Sequence, residues 1–127
     1  NGTQPSWHYI DCSDGSVVAY THGTTTTNNA YNNAVFCPTQ NRIYMMPTLF
    51  HGSQTNWHYI DCSDGSVVAY THGATTVSSG YGGGVYSPIE NRIYLIPLNQ
   101  GPETNWHYIK PLTSANASIS IMSSLLK

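Results

Sequence analysis

Three sets of side chains in this sequence recur at fixed spacing and are of types that do chemistry. His8, His58 and His107 hold one position of a repeated motif, and His22 and His72 hold another. Imidazoles converging on one axis would bind a transition-metal ion. Asp11 with Asp14 and Asp61 with Asp64 form two carboxylate pairs, the grouping that general acid/base work or calcium binding would use. Trp7, Trp57 and Trp106 recur beside polar residues, as in a platform on which sugar rings stack.

Each set also has a plainer reading. Equivalent positions of successive repeat units sit too far apart to share one ion unless they line a common channel. The histidines are therefore expected to be hydrogen-bonded structural or interfacial groups, with no metal or other cofactor. In each Asp pair the second carboxylate precedes a glycine in a turn and accepts backbone N–H bonds, while the first bounds a strand. Catalytic carboxylates need environments that push their pKa values apart, and these copies have identical neighbours. The tryptophans are expected to pack between units with their N–H groups bonded. Glycan or interface binding on Trp7, Trp57, Trp106, His8, His58 and His107 is the alternative. Arg42 and Arg92 follow turns and are expected to bond turn carbonyls or a neighbouring unit.

The spacing of these residues comes from a repeat. WHYIDCSDGSVVAYTHG at residues 7 to 23 returns unchanged at 57 to 73, and its first four letters return at 106 to 109. The sequence divides into units 7–56 and 57–105 and a partial unit 106–122 within one repeat domain. After the 17 identical positions, 10 of the next 24 match, and the substitutions keep packing character, such as Phe36 for Tyr86.

Composition narrows the function classes. Only 8% of the 127 residues are charged, against roughly 25% in an average soluble domain. Ten Tyr and three Trp supply the apolar area that disordered chains lack. Four scattered basic residues and a net charge of −2 give no footprint for nucleic acid. No run approaches the roughly 18 apolar residues of a spanning helix, so membrane insertion is not expected, and a basic, apolar leader is not present at the N-terminus. Cys12 and Cys62 occupy equivalent positions a whole unit apart, beyond the reach of a disulfide, and Cys37 aligns with Ser87. Small buried thiols are the expectation for all three. Sequons stand at Asn1 and Asn116 and could carry glycans in a secretory pathway.

The positioning elements read as short strands. Residues 7 to 22 form a hairpin whose turn, Ser13-Asp14-Gly15, uses Gly15 for a positive φ. Residues 23 to 29 are loop. Strands follow at 31–37 and 42–46 around a Pro38-Thr39-Gln40-Asn41 turn, and Pro47 ends the second. The next unit repeats the plan with a hairpin at 57–72 and strands at 83–87 and 92–96. At the third copy Lys110-Pro111 replaces Asp-Cys, so that hairpin is not continued in the same way. Ile119 and Ile121 alternate as in a closing strand.

Four short strands per roughly fifty residues are the content of one β-propeller blade. Ala34-Val35-Phe36-Cys37-Pro38-Thr39-Gln40-Asn41-Arg42-Ile43-Tyr44 and then Tyr59-Ile60-Asp61-Cys62-Ser63-Asp64-Gly65-Ser66-Val67-Val68 resemble the two halves of YVTN-type propeller repeats, and share their strand and turn positions with NHL and kelch repeats. The Trp-His pair before Tyr-Ile-Asp departs from that pattern. The resemblance implies an all-β fold of tandem four-stranded antiparallel units. It places the last two strands of one blade at 7–22, a whole blade at 31–72 and three strands of another at 83–110.

About two and a half blades do not close a ring of roughly four to eight. The expected partners are further repeats of a longer parent chain or other copies of this one, with glycans as a secondary class, and residues 7 to 22 are expected to complete a blade with strands from outside the sequence. The expected function is non-enzymatic: a structural or interaction protein displayed extracellularly, on a cell surface or a virion. A lectin-like propeller is the alternative, followed by a propeller enzyme of the lactonase or dehydrogenase kind.

Overall fold

The computed structural model describes residues 6–22, 30–47, 56–71, 80–98 and 107–111. All nine elements among them are β-strands: β1 (Ser6–Ile10), β2 (Val17–Thr21), β3 (Tyr31–Cys37), β4 (Arg42–Pro47), β5 (Asn56–Asp61), β6 (Val67–Thr71), β7 (Tyr81–Ser87), β8 (Arg92–Pro97) and β9 (Tyr108–Ile109). The fold is all-β. Among the described residues every pairing is antiparallel, and the strands form open sheets of two (β1-β2), four (β3-β4-β5-β6) and three (β7-β8-β9), with no ring closed. The four-stranded sheet therefore joins the second half of one sequence unit to the first half of the next.

Turn chemistry sets the registers. In the β1–β2 hairpin Asp11 opens a tight loop, its N–H donating to the Ser16 carbonyl at 2.8 Å and the Gly15 N–H to the Asp11 carbonyl at 2.7 Å, and Asp61 repeats both bonds with Ser66 and Gly65 in the β5–β6 hairpin. Gly15 sits at φ 77° and Gly65 at φ 78°, where a side chain is costly. The shorter β3–β4 and β7–β8 turns close on Asn41 (φ 53°) and Asn91 (φ 49°), since Asn tolerates the left-handed region better than most residues. Pro47 and Pro97 are the last residues of their strands, paired with Tyr31 and Tyr81 at the ladder ends.

Strand β7 begins at Tyr81, two residues before the expected Gly83. Its glycines are tolerated because β7 lies close against the preceding sheet, on β3 and β4. A Cβ on Gly84 would stand 2.9 Å from Met46 Sδ and 3.1 Å from Val35 Cγ2. A Cβ on Gly83 would meet the Asn33 amide at 3.0 Å. The glycines at 83 and 84 thus let side chains of β3 and β4 pack directly on the β7 backbone.

Between these two sheets lies the core: Val35, Cys37, Tyr44, Met46, Trp57, Tyr81, Ile93 and Leu95. Burying an aliphatic side chain such as Ile93 contributes roughly 1.5–3 kcal/mol. The two-stranded sheet takes little part in this core. Its Tyr20 ring lies by the Gly65 turn, 4.0 Å from where a Cβ would stand.

The thiols depart from expectation. Cys37 is buried, but Cys12 and Cys62 are exposed, and all three are free. Cys12 and Cys62 stand in the tight turns of their hairpins, where they face water. The expected closing strand at Ile119 and Ile121, Trp106, His72 and the sequons at Asn1 and Asn116 lie outside the described residues.

Candidate functional site

Two of the recurring histidines, His58 and His107, are held by tyrosines. Tyr31, at the start of β3, reaches across β4 so that its hydroxyl lies 2.6 Å from Nδ1 of His58 on β5, with the rings edge to face at 5.8 Å. Tyr81 and His107 repeat the bond and the edge-on stacking in the next sheet. Burial pushes the Tyr31 hydroxyl well above its ordinary range and raises Tyr81 as well, so both stay protonated. His8, their equivalent on β1, is exposed. His22 is buried against Trp7, ring centroids 4.2 Å apart. Among the described residues no group of three or more His, Cys, Asp or Glu is placed to hold one ion.

The carboxylates serve turns. Asp11 Oδ1 accepts the Ser13 N–H at 2.9 Å and the Ser13 hydroxyl at 2.6 Å, and Asp14 accepts the Ser16 N–H at 2.8 Å. Asp61 and Asp64 repeat these bonds with Ser63 and Ser66. Accepting from Ser13 and Ser63, side chain first and then backbone, lowers the pKa values of Asp11 and Asp61; Asp14 is lowered by Ser16.

The tryptophans differ although their sequence surroundings are the same. Trp57 is 2% exposed and part of the core, whereas Trp7 is half-buried on the two-stranded sheet. The same contrast holds along the hairpin. Val17 is 67% exposed and Val67, its identical counterpart, 6%.

Beside Trp57 opens a cleft of about 740 Å³ between the β4-β5-β6 side of the four-stranded sheet and the end of the three-stranded one. Arg42, Tyr59 and Tyr70 line one side and Tyr108, Lys110 and Pro111 the other. The Arg42 guanidinium lies over the Tyr59 ring at 4.3 Å, and Arg92 over Tyr108 at 4.6 Å. Tyr44, Tyr59 and Tyr70 stack on one another with centroids 5.5 to 5.9 Å apart. The cleft adjoins β9, on whose outer edge no strand pairs among the described residues.

Reading the sequence found the histidines and tryptophans but not the tyrosines that engage them. A signal existed. Tyr31 precedes its histidine by 27 residues and Tyr81 its own by 26, the same spacing within one residue. The structure brings Trp57 and His107 to the cleft, sets His58 in its sheet against Tyr31, and leaves Trp7 and His8 on the separate hairpin.

Comparison of the chain with protein-family models, with curated proteins and with solved structures found no match.

Proposed function

We propose that the chain is a non-enzymatic structural or interaction protein built of propeller-type repeats and displayed on the outside of a cell or a virus particle. One observation carries this reading. Hairpins of identical sequence are covered to different degrees, Val67 being buried and Val17 exposed, so the N-terminal hairpin carries a surface that its twin buries. Exposed apolar side chains beside open strand edges are association surfaces. The low charge and the Thr, Asn and Ser content outside the strands support an exterior setting.

Glycan binding is the second reading, supported by the aromatic cleft, where Tyr108 is exposed and Arg42 and Lys110 supply polar groups. Light scattering across a concentration series, run beside titration with a glycan panel, separates the two. Assembly above the 13.9 kDa monomer supports the first reading. A persistent monomer with saturable sugar binding lost on Tyr108→Ala supports the second and overturns the first.

A further inference from the structure

The three-stranded sheet holds a substitute where the four-stranded sheet holds a hairpin. In the complete sheet β4 pairs with β5 as Tyr44↔Tyr59, Ile43↔Ile60 and Arg42↔Asp61, and the Cys62 N–H donates to the Asn41 carbonyl at 3.0 Å. Strand β9 reproduces the first two pairs, Tyr94↔Tyr108 and Ile93↔Ile109, and stops. One step further in that register, Lys110 stands where Asp61 did, opposite Arg92. Like charges facing each other across a ladder destabilise it. Pro111 stands where Cys62 did and has no N–H to offer Asn91. The Asn91 side chain instead donates to the Pro111 carbonyl at 3.1 Å.

The hairpin β1-β2 carries every group that β9 lacks. Tyr9 and Ile10 match Tyr108 and Ile109, Asp11 replaces Lys110, Cys12 restores the N–H, and β2 is identical to β6. Its His8 occupies the position from which His107 meets Tyr81. The β1 edge away from β2 corresponds to the edge of β5 that takes β4, and no strand of this chain occupies it among the described residues.

We infer that β8 is an exchange site at which the β1-β2 hairpin of a second copy of this chain displaces β9 and completes a four-stranded sheet, β7-β8-β1-β2. The occupant is fixed by charge: Asp11 of the incoming hairpin faces Arg92, which already holds Glu90 at 3.7 Å, in place of Lys110. The exchange trades a two-residue pairing for a three-residue one and brings β2 alongside. Exposed Ile10 and Val17 gain the setting in which Ile60 is half-buried and Val67 buried. Donor and acceptor are different surfaces of each copy, so the contact is head to tail and closes into a ring or runs on as a filament. Each copy then contributes two four-stranded sheets, and about two to four copies give the roughly four to eight blades of a propeller.

This inference deepens the assembly reading and rests on it. The test is sedimentation of the intact chain over a concentration series, with two variants. Asp11→Asn keeps the turn acceptor for Ser13 and removes the charge, and is expected to weaken association several-fold. Lys110→Asp with Pro111→Ala makes β9 a better occupant of its own edge, and is expected to weaken association roughly tenfold or more while leaving the monomer folded by circular dichroism. Association that neither variant changes, or that the β9 variant strengthens, overturns the exchange site and leaves the assembly reading standing. A wild-type chain that stays at 13.9 kDa at every concentration overturns both.

Discussion

The Tyr31 hydroxyl lies 2.6 Å from Nδ1 of His58, two strands away across β4, so one hydrogen bond ties three strands of a sheet together. Tyr81 and His107 make the same bond in the next sheet. His58 is buried and Tyr31 half-buried, so loss of one partner costs more than the net worth of the bond. Tyr31→Phe is expected to lower stability by about 1–2 kcal/mol in denaturant unfolding, with far-UV dichroism unchanged. A variant as stable as wild type would show that the bond contributes nothing.

Sheet-to-sheet packing through Gly84 gives a second prediction. A valine there must push aside Met46 and Val35, which approach an added Cβ to 2.9 and 3.1 Å. Overpacking of this kind costs about 1–3 kcal/mol. Thermal unfolding of Gly84→Val should show the loss, whereas Gly15→Ala, with open space but φ 77°, should register only the backbone strain of its turn.

Acid should loosen the hairpin turns. Hydrogen bonds from Ser13, Ser16 and Ser63 hold Asp11, Asp14 and Asp61 below their ordinary value of 3.8, so the native state keeps these carboxylates charged to lower pH than the unfolded chain does. Their stabilisation is fully present above about pH 4 and is lost as pH falls through the lowered native values. Asp61→Asn, which keeps an acceptor for the Ser63 N–H, should flatten part of that acid dependence in unfolding curves between pH 5 and about 2. An unaltered acid limb would contradict the role given to Asp61.

Thiol labelling checks the placement of the cysteines. Cys12 and Cys62 are exposed and Cys37 is buried in the core. Native protein should therefore modify at two sites with a thiol reagent, and at the third only after unfolding. Burial and the Asp61 charge raise the Cys62 pKa, which slows its reaction at neutral pH. Rapid native labelling of Cys37 would contradict its position between the sheets.

Much of this fold is legible in the sequence. The exact repeat, the Asp-Gly turns at residues 14–15 and 64–65 and the prolines at 47 and 97 marked the ends of strands, and the four-stranded grouping of residues 31 to 71 follows the phasing that the propeller resemblance implied. Other features were not legible, for physical reasons. Pattern reading starts this strand at Gly83 and misses Tyr81 and Gly82, because glycine has no side chain to show a strand pattern, whereas here the missing Cβ of Gly84 is what lets β7 lie against Met46 and Val35. Burial of Trp57 but not Trp7, or of Val67 but not Val17, is invisible in identical sequence, because tertiary neighbours decide it. The Tyr31–His58 bond spans 27 residues and needs the β3-β4-β5 order to be known first.

The central claim is that the open edge of β1 is completed by a further strand, and amide hydrogen exchange of Ser6–Ile10 tests it most directly. About half of the amides in an edge strand point away from its single neighbour. In the dilute chain those amides should exchange rapidly while their counterparts at the Tyr59–Asp61 end of β5, which pairs with β4, stay protected. Raising the protein concentration should slow exchange in Ser6–Ile10 to the β5 level in step with the increase in mass. Exchange in β1 that remains fast at every concentration, while β5 is protected throughout, would contradict the claim.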